Sequence, residues 1–209
     1  AITSGNNTYQ FDGATFDIFE SASDARVGTV QMDSNGRAQA TLLPNTAYYL
    51  VETKAPSGYV PRRDRIAFTT GNDGGQVAID EQPGTINLRI VKLDTATNAG
   101  PQVGSSLAGA EFTCVSQSTP GWAQILTTDE SGRATLADVP LGTFTIYESK
   151  APEGYLPSND SWTYTVGADQ LGDSDVVEIE SRISDIPIAF DLEISKFKDY
   201  GNSDQSGLE

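Results

Sequence analysis

One eight-residue box, present twice, constrains the fold of this chain more than any other feature. Glu52-Thr-Lys-Ala-Pro-Ser-Gly-Tyr59 returns as Glu148-Ser-Lys-Ala-Pro-Glu-Gly-Tyr155, 96 residues further on. Gly13-Ala14-Thr15-Phe16 maps onto Gly109-Ala110-Glu111-Phe112 at the same spacing, and Asp33 to Arg37 maps onto Asp129 to Arg133. Three anchors in one register, with no insertion between them, define an internal repeat, so the chain reads as two versions of one module. Each module has roughly 95 residues, enough to bury a core of its own.

The local pattern is β throughout. In the first copy Phe16–Phe19, Ala38–Leu42, Ala47–Val51 and Arg65–Thr69 alternate aromatic or β-branched residues with polar ones. Phe112–Val115, Ala134–Leu136, Thr143–Tyr147 and Trp162–Val166 do the same in the second. Such period-two runs, bounded by Gly, Asn, Asp and Pro, are expected strands. Asp33-Ser-Asn-Gly36 and Asp129-Glu-Ser-Gly132 are expected hairpin turns. No segment holds a 3.6-residue period over helical length. The expected fold class is therefore all-β: two tandem Ig-like or transthyretin-like β-sandwiches.

The join falls near Pro83-Gly84, after which Ile86-Asn-Leu-Arg-Ile-Val-Lys92 opens the second copy. The same junction recurs at Asp185-Ile-Pro187, followed by Phe190-Asp-Leu-Glu-Ile-Ser-Lys196. The expected boundaries are 1–84, 85–188 and 189–209, the last being a linker and the first strand of a following module. No lysine precedes Lys54. The first module is thus expected to begin after, or without, its lysine strand, as in an excised piece, and the terminal Leu208-Glu209 reads as a cloning scar.

Charge and composition remove whole classes of function. A formal net charge of −16 lacks the basic footprint that phosphate needs, so nucleic acid is not an expected partner. The chain has no histidine, and Cys114 is its one cysteine. That excludes catalytic His triads, thiol–imidazole pairs, Cys/His zinc sites and an intrachain disulfide, and no metal or cofactor is expected. No apolar run is long enough to span a membrane, and Ala1–Asn7 lacks the basic and apolar regions of a signal peptide. Leu43-Pro-Asn-Thr-Ala47 has the look of a sorting signal, but it aligns with Val139–Thr143 in the repeat and reads as a turn before a strand. The Asp33 and Asp129 turns lack a calcium-loop ligand pattern, and the acidic stretch from Asp169 to Asp175 reads as a solvated turn.

Lys-x-Asp on a first strand, then Gly-Ala-x-Phe, Asp-x-x-Gly and Glu-x-Lys-Ala-Pro-x-Gly-Tyr, together resemble the Cna B-type (SpaA-like, prealbumin-like) modules of Gram-positive pilins and surface adhesins. The resemblance implies a covalent bond between a first-strand lysine and an Asn or Asp on the last strand, promoted by a glutamate on a middle strand. Carried onto the second module, it implies Lys92, Asp185 and Glu148. The acceptor rests on aligning Asp185-x-Pro with the usual Asn-x-Pro position, and Asp191 and Glu180 are lesser candidates. In the first module Glu52 keeps its place, the acceptor position aligns with Glu81 beside Asp80, and the lysine is missing. Glu52 then reads as an idle site, or one served by a strand lost upstream; a further alternative is Lys196 of another molecule, the lysine of the next module's first strand.

The residues support the chemistry on their own terms. Period two puts Leu88, Ile90 and Lys92 on one face, and Phe144, Ile146 and Glu148 on one face. Both charged groups thus point inward with apolar neighbours. Desolvation lowers a lysine pKa and raises a carboxyl pKa, which favours a neutral amine and a neutral acid. The non-covalent alternative is a buried Lys–Glu–Asp network. Lys54 and Lys150 share the face of their box glutamate by strict alternation, but Ala-Pro ends the strand and sets them at a solvated rim.

The expected function is a structural or adhesive segment of a cell-wall-anchored, extracellular surface protein, a pilin or adhesin shaft whose partners are neighbouring modules. The alternative is an adhesin module gripping a host matrix protein or glycan through its loops, 96–106 among them. A turnover enzyme is not expected; the only chemistry is single-turnover self-cross-linking.

Overall fold

The computed structural model describes residues 1–172 and 174–196, and the fold is β throughout apart from one short 3-10 turn. The first module contributes β1 (Thr15–Glu20), β2 (Arg26–Gln31), β3 (Ala47–Lys54) and β4 (Ile66–Thr69). They form one antiparallel sheet in the order β2-β1-β3-β4. The second module contributes β5 (Thr85–Asp94), β6 (Glu111–Ser116), β7 (Ala123–Thr127), β8 (Arg133–Pro140), β9 (Gly142–Lys150), β10 (Ser161–Val166) and β11 (Val176–Asp185). Here two sheets face each other, β10-β9-β6-β7 and β11-β5-β8. The first of these reproduces the whole sheet of module one.

The second sheet sets the two modules apart. In module two β5 is its central strand, parallel to β11 and antiparallel to β8. Its buried residues, Ile86, Leu88 and Ile90, pack on Phe112, Phe144 and Ile146 from the opposite sheet. In module one the expected strand Ala38–Leu42 forms no ladder, and neither does 76–82. Both run extended, and Leu42, Val77 and Ile79 still pack on Phe16, Ile18, Tyr48 and Leu50. Among the described residues no strand lies beside either segment, and a β-ladder needs a partner that alternation alone does not supply. The Asp33 and Asp129 turns also differ from simple hairpins, since in module two the turn carries the chain from β7 in one sheet to β8 in the other. Asp129 Oδ1 accepts from the Ser131 and Arg133 amides, and Gly132 takes φ +71°.

The octapeptide closes each module on the junction that follows. Tyr59 bridges Pro83, and Tyr155 bridges Pro187. Gly58 has φ +81°, and a Cβ there would lie 2.8 Å from the Thr8 carbonyl oxygen and from the Tyr9 ring, so only glycine fits. Tyr9 itself belongs to the core of module two. Its hydroxyl donates to the Gly84 carbonyl and accepts from the Leu141 amide, both at 2.8 Å. Asn6 donates to Thr119 and to the Leu141 carbonyl. The segment before β1 is therefore a brace across the two modules.

Candidate cross-linking site

Lys92 enters the core of module two because β5 is central: its alternate residues face the other sheet, and the eighth residue of the strand falls in that phase. It is 1% exposed, among the largest fully buried side chains of the chain. Its Nζ donates to Glu148 Oε1 at 2.7 Å, touches Asp185 Oδ1, and stands 5.1 Å from the centre of the Phe112 ring. The three charged side chains have no solvent exposure at the contact.

Glu148 reaches the same point from β9. There Phe112 pairs with Glu148 while Glu111 pairs with Lys150, so Ser149 is the extra residue of a β-bulge. The bulge breaks the strict alternation expected beyond the glutamate. Lys150 lies at the rim, where the Ala-Pro that follows it is expected to set it, and pairs with Glu111 at 3.2 Å. The second Glu148 oxygen accepts from the Ser158 amide at 2.8 Å, which fixes the carboxylate's orientation.

Asp185 ends β11, directly beside β5 in the parallel pair. It is 2% exposed, and neither of its oxygens accepts a well-directed hydrogen bond. Burial pushes its carboxyl up to about 6, against the opposing pull of Lys92. Of the lesser candidates, Glu180 lies on the outer face of β11 with Arg182 and Arg89 at 3.0 and 3.6 Å, and Asp191 is exposed beyond the module. Asp94, the Asp of the Lys-x-Asp motif, is fully buried two residues past Lys92 and makes a contact that the motif alone does not announce. It accepts from the Tyr155 hydroxyl at 2.8 Å and the Ala96 amide at 2.7 Å, tying the octapeptide tyrosine to the end of the lysine strand.

Module one keeps half of this arrangement. Thr53 is the bulged residue beside Glu52, as Ser149 is beside Glu148. Glu52 Oε2 accepts from the Arg62 amide at 2.6 Å, the counterpart of the Ser158 contact. Oε1, which in module two receives the lysine, is buried and without a partner among the described residues. Glu81 is half-buried and pushed up to about 7 by burial and by the Glu52 charge. Asp80 points to solvent. Arg62, which no sequence pattern singles out, sits at the edge and donates to the Asp80 carbonyl. Lys196 is exposed and in no strand, so the expected first strand of a following module does not form over 189–196; residues 197–209, Leu208-Glu209 among them, lie outside the described residues, as does Asp173 of the acidic loop. No group of metal-ligating side chains occurs among the described residues.

A buried amine thus contacts two buried carboxylates, the functional groups that an amide-forming condensation needs. Comparison with known proteins points to the same fold. The profile of the SpaA prealbumin-like fold domain matches residues 3–83 and again 87–180. Among solved structures, the chain is similar to the TIE protein of Bacillus anthracis, at 24% identity and TM-score 0.65, over 87% of this chain and 32% of that one. It is also similar to the pilus adhesin SpaC from Lactobacillus rhamnosus GG, at 17% identity and TM-score 0.50, over 88% of this chain and 30% of that one. The chain thus spans about a third of the length of these structures. A search of curated proteins gives no match. With both halves matched in order, the chain belongs to the SpaA prealbumin-like fold domain family, in two tandem copies.

Proposed function

We propose that this chain is a load-bearing segment of a surface pilin or adhesin, its second module locked by an amide between Lys92 and Asp185 that forms once and without a cofactor. The observation that carries the reading is the burial of Lys92 Nζ against Glu148 and Asp185, with Asp185 otherwise without hydrogen bonds. An ion pair so deeply buried is poor value for stability alone, because desolvation cancels most of its attraction. As a set of reactants the same arrangement makes sense.

The proton balance closes within the trio. One proton leaves the Lys92 ammonium and, relayed by Glu148, arrives on the Asp185 carboxylate. Amine and acid are then neutral, and Glu148 is again an anion. Nζ attacks Cγ of Asp185, an amide bond forms, a C–O bond breaks, and one water departs. Contact in a dry core replaces the encounter of two solutes, a gain of ~7–11 kcal/mol in well-oriented systems. The site is consumed by its own reaction, so the chemistry is single-turnover.

The topology gives such a bond mechanical meaning. Its two residues lie near the same ends of the adjacent parallel strands β5 and β11, the first and last strands of module two. Neighbouring modules of the same extracellular protein are the partners this reading requires. Intact mass tests it: the chain should weigh one water less than its sequence, and Lys92→Ala should restore the difference. A full-sequence mass in the folded parent chain rules the bond out.

A further inference from the structure

The reacting groups of module two sit where strands are weakest. Lys92 lies two residues from the end of β5, Asp185 is the last residue of β11, and the parallel ladder stops at the pair Asp94–Asp185. Strand ends fray at little cost, whereas a condensation needs its atoms held in contact. Glu148 reaches the site from β9 in the opposite sheet, so no single ladder holds all three groups.

The octapeptide ties this end down from both sides. The Leu156 amide donates to the Ile186 carbonyl at 2.9 Å, and the Ile188 amide to the Gly154 carbonyl at 2.8 Å. Between these bonds Tyr155 sends its side chain to the other strand, where its hydroxyl donates to Asp94 Oδ2 at 2.8 Å. Tyr155 is buried, and Asp94 is completely so. The octapeptide therefore grips the continuation of β11 by its backbone and the end of β5 by its tyrosine. Its first residue, Glu148, is the carboxylate that accepts from Lys92.

Asp94 is a fixed anchor for that hydroxyl. Its Oδ1 accepts from the Ala96 and Thr97 amides at 2.7 and 3.3 Å. Against desolvation, the Tyr155 hydroxyl and these amides hold its carboxyl below the usual carboxylate range, so Asp94 stays an anion. Asp185, paired with it across the ladder, has no well-directed hydrogen bond. Of two adjacent buried carboxylates, the one without donors takes the proton and becomes the acid that an amine can attack.

We infer that Tyr155 is a positioning residue for the cross-linking reaction: through Asp94 it locks the ends of β5 and β11 to the octapeptide that carries Glu148, and so holds Lys92 Nζ at Asp185 until the amide forms. The inference rests on the cross-link proposed above and gives the tyrosine that closes the octapeptide a part in it. Tyr155 acts through Asp94 and exchanges no atoms in the reaction.

The rate of water loss in the full chain tests this. After a pulse of cell-free synthesis, brief exposure to a thiol reagent marks unfolded chains at Cys114, which is buried in the fold. Intact mass then reads folding and cross-linking in one sample. Tyr155→Phe is expected to give unlabelled chain that loses water at least ~10-fold more slowly than wild type, the size of one hydrogen bond to a charged group. Asp94→Ala slows the reaction as well, and Tyr155→Phe adds nothing in that background. Asp94→Asn, whose amide keeps a partner for the hydroxyl, is rescued relative to Asp94→Ala. Unlabelled Tyr155→Phe chain that loses water at the wild-type rate overturns the inference and leaves the cross-link standing. So does Asp94→Asn as slow as Asp94→Ala, or Tyr155→Phe chain labelled throughout, which makes the hydroxyl a requirement of folding alone. Wild-type chain that folds and never loses water removes the cross-link itself, so the two fail separately.

Discussion

Asp185→Ala should turn the second module from a nearly inextensible element into one that lengthens by roughly 300 Å when pulled from its ends. Asp185 is the informative position because its removal keeps the Lys92–Glu148 pair at 2.7 Å, so the buried ammonium is not stranded. Force enters module two at Thr85, the start of β5, and leaves at Asp185, the end of β11. With an amide joining Lys92 to Asp185, tension runs along 85–92 and crosses directly to 185. Residues 93–184 hang in a closed covalent loop and carry no load. Released, those residues extend by ~3.3–3.6 Å each, which gives the roughly 300 Å; the linked path from 85 to 92 yields only about 25–30 Å. Single-molecule force spectroscopy with handles at both termini reads this as one long unfolding step present in Asp185→Ala and absent in the parent. Module one, with its single sheet, supplies an internal reference step in both chains. A parent trace containing the long step refutes the reasoning. The same loop gives the thermodynamic size of the bond: for a closure from 92 to 185, chain entropy contributes about 4–5 kcal/mol, lost from denaturant unfolding in the variant.

Three further outcomes follow from other parts of the molecule. Glu81 is held up to about 7 from 4.5, so between those values the folded module binds a proton the unfolded chain has released, and its stability falls as pH rises. Thermal unfolding of module one should therefore weaken from about pH 4.5 to 7, and Glu81→Gln should flatten that slope; an unchanged slope removes Glu81 as its source. Tyr9→Phe deprives the buried Gly84 carbonyl and Leu141 amide of their shared partner, a loss of ~1–3 kcal/mol in denaturant titration. Equal stability of wild type and variant contradicts the brace. Cys114, buried and with its thiol pushed up to about 12, should react with a thiol reagent only after unfolding, and rapid native labelling contradicts its placement.

The inward faces were legible because period two needs no partner to be read. Lys92 and Glu148 fall in phase with Leu88, Ile90, Phe144 and Ile146, and those side chains are buried together. The β-bulges at Thr53 and Ser149 were not legible, since an extra residue leaves alternation intact on paper and shifts it only when the neighbouring strand is present. The edge strands β2 and β7 escaped for a related reason. Arg26–Gln31 contains Gly28 and is mostly exposed, so it carries little apolar signal. Ala38–Leu42 shows the reverse failure: a good strand pattern with no strand to pair with. Tyr9 and Arg62 were out of reach altogether. Tyr9 acts across the module boundary, and Arg62 matters through its backbone amide, which donates to Glu52. Neither relation leaves a mark at its own place in the sequence.

Intact mass spectrometry of the folded chain, followed by mapping of the peptide that contains Lys92, tests the central claim most directly. The account predicts a mass one water below the sequence and a branched peptide joining Lys92 to Asp185, both abolished by Asp185→Ala. A mass equal to the sequence, with Lys92 recovered in a linear peptide, contradicts it.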